Sequence, residues 1–151
     1  MTSLVRRFLK TGVSFLAVGL LLGLWMLVRR ELVGAEASPY LVSAHTHVIL
    51  VGFVMMMILG VALWMFPRPA RDDSRYSPRV AELAYWLVTF GTAGRVVGEA
   101  IASVARNAWL PWVIVLAGVA QGAGLIAFFS TMWSRIRPVG SKSREEAGER
   151  F

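Results

Sequence analysis

Apolar residues gather into four blocks along the chain, and charged residues fall between them. Thr11 to Val28 carries no charge, and Tyr40 to Phe66 carries none apart from two histidines. Val80 to Ala105 is apolar except for Glu82, Arg95 and Glu99, and Asn107 to Ser134 is again uncharged. Each block approaches or exceeds the roughly 20 residues that cross a bilayer as a helix. The pattern predicts an all-α, polytopic membrane protein with four transmembrane helices, at about 11–28, 40–66, 80–105 and 108–134. These form one domain over 1–137, followed by a polar tail at 138–151 that is expected to be disordered.

Composition agrees: 56% of the 151 residues are hydrophobic, too many for an ordinary soluble domain. The first block has a basic flank, "RRFLK", and "AEA" follows at Ala35 to Ala37, as in a cleaved signal peptide. The apolar core is long for a signal, and "RRE" separates it from that site, so the block is expected to remain as a helix. There is no cysteine, which excludes disulfides, thiolate metal sites and cysteine-attached haem.

The net charge of +7 would suit nucleic acid, but its placement does not. Arg6, Arg7 and Lys10 precede the first helix; Arg68, Arg71, Arg75 and Arg79 fill the link between helices two and three; Arg135, Arg137, Lys142, Arg144 and Arg150 follow helix four. In a four-pass protein all twelve lie on one side, against Arg29, Arg30 and Arg106 on the other. The positive-inside rule then puts both termini in the cytoplasm, in a bacterial-type inner membrane. The basicity is a topology signal, and no nucleic-acid partner is expected. "GLLLG" (Gly19, Gly23), "GRVVG" (Gly94, Gly98) and "GVAQG" (Gly118, Gly122) put small residues four apart on three helices, which suits a tight bundle, an oligomer, or both.

His45 and His47 are the chain's only histidines, and they lie near the outer end of helix two. Imidazole within a membrane either hydrogen-bonds between helices or does functional work. Metal ligation is the sharper reading, since neutral imidazole is the commonest metal ligand. Residues two apart on a helix point about 200° apart, so His45 and His47 cannot meet on one ion unless the helix is broken there. Zinc needs more ligands than the chain offers. Haem needs one or two imidazoles and an apolar slot.

The segment "AHTHVILVGFVMMMILGVALWMFPR", Ala44 to Arg68, resembles the tenth helix of the catalytic subunit of haem-copper oxidases, especially cbb-type oxidases and nitric oxide reductases. The resemblance rests on His45-x-His47, Gly52, Gly60 and the exit "LWMFP", about 25 residues in all. In that family the two histidines bind two haems on opposite sides of the helix, one low-spin and one high-spin. The resemblance implies haem b, with His45 and His47 as axial ligands to iron and Gly52 and Arg95 as further cofactor contacts. The family's copper requires three more histidines, and its low-spin haem requires one on another helix; this chain has none. A complete oxidase reaction therefore does not carry over.

The family's twelve helices form three four-helix arcs about a pseudo-threefold axis, and this chain is one arc long. By that analogy a homotrimer would pair His45 of one subunit with His47 of the next, one haem b at each interface. Arg95 could meet a propionate, or could instead pair with Glu99 one turn away; Arg29, Arg30 and Arg106 could reach propionates at the outer rim. Met55, Met56 and Met57 are expected to pack rather than ligate. The role implied is electron transfer or handling of dioxygen or nitric oxide, with a redox partner on the extracytoplasmic side. Another class remains open: a non-haem assembly, scaffold or transport subunit whose histidines are structural.

Overall fold

The computed structural model describes residues 2–67, 76–105 and 107–136, together with Gly148. Among the described residues four long helices carry the fold, and their ends are set by local chemistry. The helix α1, Ser3–Val33, starts where the Thr2 side chain accepts a hydrogen bond from Val5 N–H, an N-cap that satisfies one orphan donor. It ends at Gly34, whose φ of 67° is left-handed and costs glycine nothing, with Ala35 N–H bonded to the Arg29 carbonyl. The helix α2, Pro39–Met65, begins with Ser38 as cap and proline at its first turn, and stops before Pro67, where Phe66 turns extended. The helix α3, Pro78–Ala102, repeats the Ser-Pro start with Ser77. The helix α4, Leu110–Met132, runs into a 3₁₀ turn at Trp133–Arg135.

The first apolar block was expected as a helix over 11–28, but α1 is 31 residues long. Arg6, Arg7, Lys10, Arg29 and Arg30 bound the apolar run without ending the helix, because caps end helices and charges do not. Four membrane helices were expected; four long helices are present among the described residues, and three of them, α1, α2 and α4, are long and apolar enough by composition to cross a membrane. The helix α3 falls short because Glu82, Arg95 and Glu99 lie within it. The tail expected at 138–151 lies, apart from Gly148, outside the described residues, as do Arg68, Arg71, Arg75, Arg106, Arg137, Lys142, Arg144 and Arg150.

Neighbouring helices run antiparallel. On α1 and α2 the facing pairs are Phe8 and Leu9 with Gly60, Gly12 with Met56 and Met57, Gly19 with Val48 and Ile49, and Gly23 with His45. On α3 and α4, Gly91 meets the Ala117 carbonyl and Gln121, Gly98 meets Ile114, and Gly124 meets Val88 and Ala84. A Cβ at Gly91 would stand 2.8 Å from the Ala117 oxygen, so this crossing depends on glycine. Beside it, Gln121 donates to the Thr92 hydroxyl across the buried seam at 3.0 Å.

The two ends of the bundle differ. At one end Val5 and Phe8 of α1, Met56, Leu59 and Leu63 of α2, Ala84, Tyr85 and Val88 of α3, and Phe128 and Met132 of α4 form a single apolar core. Phe8 is its centre, fully buried and edge-on to Tyr85 and Phe128. At the other end, which carries the histidines, the buried residues are mostly small or polar: Ala44, Ala117, Gly19, Gly98 and Glu99, with Val48 and Leu110. Outward, Leu20, Leu21, Leu24, Leu116, Val119 and Ile126 are exposed, the reverse of a water-soluble bundle. Lipid is the solvent that suits such faces, and the protein is a multi-pass membrane protein.

The core end is tied by Arg135, a residue whose charge alone suggests only topology. Its side chain is 4% exposed, and its guanidinium donates to the Leu63, Phe66 and Pro67 carbonyls at 2.9–3.1 Å. These are orphan carbonyls of the α2 C-terminus, so a charge on α4 caps a different helix. Tyr76 lies 5.0 Å from the same group, ring face toward it. Arg135→Ala is expected to destabilise the detergent-solubilised protein by about 2–4 kcal/mol, since buried carbonyls lose charged donors. Arg135→Lys should recover only part, as an ammonium lacks the planar fork. Thermal unfolding followed by circular dichroism checks both.

Candidate functional site

Helix α2 keeps α geometry through His47 and then continues as a π-helix over Val48–Met55. The two histidines therefore still point about 200° apart. His45 turns to α1, and His47 bonds Ser43 of its own helix, whose hydroxyl reaches Glu99 of α3. The π segment has no signal in the apolar run "VILVGFVM", where any helical register is equally greasy. Such wide turns recur at functional sites in other proteins. Here the segment starts on the residue after His47 and buries Gly52 beneath Phe15 of α1, where an added Cβ would come within 2.8 Å of the ring.

His45 lies over the "GLLLG" stripe of α1. Its Nδ1 is 3.1 Å from the Gly19 carbonyl oxygen, and its Cε1 would be 2.7 Å from a Cβ at Gly23. The stripe thus seats an imidazole inside one chain as well as bringing two backbones together. A carbonyl only accepts, so Nδ1 carries the proton in this bond, and the neutral ring has its lone pair on Nε2.

His47 reaches the same state by another route. Its Nδ1–H donates to the carbonyl of Ser43, one turn earlier, at 2.8 Å, and lies 3.3 Å from the Ser43 hydroxyl. The Ser43 hydroxyl in turn donates to Glu99 Oε1 at 2.8 Å. Arg95 Nε donates to that same oxygen at 3.1 Å. Glu99 is 2% exposed, and its Oε2 is buried with no hydrogen-bond partner among the described residues. The guanidinium of Arg95 extends on to α4, where a Cβ on Gly118 would sit 3.2 Å from its Nη1. The sequence marked Arg95 and Glu99 as a possible pair, and they are one. Ser43, which joins them to His47, was missed; its signal was the four-residue spacing to His47 on a helix face.

Both imidazoles therefore suit axial ligation of haem iron. Each fixes Nδ1–H on a backbone carbonyl, the arrangement that orients a ligating histidine, and each leaves Nε2 without a protein partner among the described residues. No group of three or more histidine, cysteine or acidic side chains that could hold a metal ion occurs among the described residues. Three cavities of about 450, 340 and 190 Å³ open at this end, around Tyr40, Ala102, Leu110 and Arg29. Neither histidine lines them. Met56 is fully buried in the core, and the Met57 sulfur would lie 3.4 Å from a Cβ on Gly12, so both are packing groups. Of the other rim cations, Arg29 lies over Trp25 and Arg30 pairs with Glu31.

Gly23→Val should push the His45 ring off α1 and break its bond to Gly19, at a cost of about 1–3 kcal/mol for overpacking. In isotope-labelled protein the Nδ1–H resonance of His45 should move toward the free imidazole position while that of His47 holds.

No curated protein and no solved structure matches the chain. The family model described as cytochrome c and quinol oxidase polypeptide I matches residues 3–144. The match takes in all four helices. The chain belongs to the cytochrome c and quinol oxidase polypeptide I family.

Proposed function

We propose that the protein binds haem b through His45 and His47, as a short relative of oxidase polypeptide I without the copper site, and serves electron transfer or handling of dioxygen or nitric oxide. The observation that carries this reading is the pair of Nδ1 bonds to the Gly19 and Ser43 carbonyls, which fix the two rings and leave Nε2 of each without a protein partner among the described residues. A bound haem supplies a one-electron couple and, where an axial position is open, a site for a diatomic gas. The chain has two histidines in all, too few for a copper centre of the family's kind beside any haem. Arg95, whose terminal nitrogens make no hydrogen bond among the described residues, is the propionate partner; Arg29 and Arg30 lie at the rim, and Arg106 lies outside the described residues.

His45 turns to α1 and the two histidines point about 200° apart on α2, so one chain closes only one axial position of any one haem. A cyclic homotrimer completes the coordination, with His45 of each subunit paired with His47 of the next. A closed ring leaves no ligand unpaired, whereas an open chain always does. The twelve cations of the expected cytoplasmic side orient the protein with both termini inside, in the inner membrane. Among the described residues Arg6, Arg7, Lys10, Arg79 and Arg135 cluster at the core end, and the histidine end then faces an extracytoplasmic redox partner.

The second reading is a non-haem assembly, scaffold or transport subunit with structural histidines. The observation that favours it is that His45 already bonds between helices, to Gly19. An absorption spectrum separates the two: detergent-purified protein should show a Soret band and, on reduction, b-type bands, each lost or converted in His45→Ala and His47→Ala. Colourless protein expressed with ample haem supports the second reading.

The trimer has its own test. His45→Ala and His47→Ala chains, each without a low-spin spectrum alone, should regain part of it when co-assembled, because some interfaces then join two intact ligands. Monomers carrying low-spin haem in native mass spectrometry, or no complementation, would sink the ring.

A further inference from the structure

The three cavities at the histidine end join into one groove. The middle one, of about 340 Å³, shares Tyr40, Ala102 and Ala105 with the largest and Ser38, Ser103 and Val104 with the smallest. Trp25 and Tyr40 line the groove, Trp109 and Trp112 flank its Leu110 and Pro111, and all four rings are exposed. Amphipathic rings settle at the headgroup level of a bilayer, so the groove lies where lipid headgroups are.

The smallest cavity holds two unlike charges, and the turn after α1 brings them there. Gly34 takes its left-handed φ and the Ala35 N–H returns to the Arg29 carbonyl, so the chain folds back over the last turn of α1. Glu36 thereby lines the same cavity as Arg29. They form no ion pair with each other, and neither pairs with another charged side chain among the described residues. Trp25 lies 5.2 Å from the Arg29 guanidinium, which holds that group in place without neutralising it. Arg30, the next cation along, is taken by Glu31. Of the hydroxyls on the lining, Ser103 donates to the Ala100 carbonyl and Ser38 caps α2, so recognition of charge falls to Arg29 and Glu36. Below Arg29, Trp25, Leu21 and Val18 stand exposed at three- and four-residue steps down α1. That stripe runs for about 16 Å, roughly half the hydrocarbon thickness, which is the depth one acyl chain occupies.

We propose that this groove binds a zwitterionic phospholipid of the ethanolamine type, with its phosphate on Arg29, its ammonium on Glu36 and an acyl chain along Trp25, Leu21 and Val18. An ethanolamine headgroup carries its ammonium two carbons beyond the phosphate ester, so one molecule brings both charges to one cavity. The ammonium gives N–H donors to the carboxylate, and the phosphate accepts from the guanidinium fork. A glycerol headgroup brings the phosphate alone and sets an anion against Glu36. A choline headgroup brings a cation without N–H donors. The pair of charges therefore selects ethanolamine over both. Neither residue ligates haem in the reading above, so the lipid site stands with or without haem.

Native mass spectrometry of the full chain, purified in detergent and mixed with defined lipids, tests this. From equal amounts of phosphatidylethanolamine, phosphatidylglycerol and phosphatidylcholine, the chain should retain the ethanolamine lipid in preference. Arg29→Gln should lower that retention by about two- to fivefold, the range for exposed ion pairs, and Arg29→Lys should restore part of it. Glu36→Gln should shift retention toward phosphatidylglycerol. Equal retention of the three lipids by the unaltered chain overturns the proposal, and so does an ethanolamine preference that survives in Glu36→Gln. Displacement of the lipid by inorganic phosphate at matched concentration also overturns it, because the groove then takes phosphate and not a headgroup. Should a glutamine variant fail to fold, the choice the unaltered chain makes among the three lipids still decides. The same preference in colourless protein supports the lipid site while the haem reading fails.

Discussion

Lipid offers the helices of this protein no hydrophobic reason to associate, so they are held by close approach and by hydrogen bonds that cross between them. Glycine does most of the first: Gly60 and Gly12 admit Leu9 and Met57, Gly91 admits the α4 backbone, and Gly124 admits Val88. The second is carried by a few polar groups, each on a different pair of helices. Thr11 meets Tyr85 at 2.8 Å, Thr92 meets Gln121, Ser43 meets Glu99, and Arg135 reaches from α4 to the end of α2. Every later feature of the molecule follows from where these contacts fall.

They fall unevenly. The core end has Phe8, Phe128, Leu59 and Met132 interlocked and is closed by Arg135. The histidine end has small and polar side chains in its interior, and cavities open beside it. The bundle thus has one well-packed end and one less filled end. The His45 seat on α1 and the Ser43–Glu99 bond from α2 to α3 both lie at the less filled end.

The environments of the two imidazoles are not equivalent. One Nδ1–H ends on a neutral carbonyl, while the other stands next to a hydroxyl bonded to a buried carboxylate and its arginine. Outer partners of this kind change the basicity of a ligating imidazole.

The four helices, the membrane class and the family were legible in the residues alone. Apolar blocks of bilayer length and an isolated His-x-His depend only on spacing and polarity, which a sequence displays directly. Arg95 with Glu99 was legible for the same reason, being one turn apart on one helix. What the sequence left open were contacts between residues far apart in the chain. "GLLLG" states that α1 can be approached closely but not that His45 is what approaches. Ser43 was invisible as a link because its partner Glu99 is 56 residues away. Arg135 read as one cation among twelve until the antiparallel packing brought it to the α2 carbonyls. The π segment after His47 was likewise unreadable, since a run of uniformly apolar side chains leaves the choice of register to packing against α1. Pattern fixes local structure and chemistry; which side chains meet, and with what charge between them, was decided by the packing of the helices.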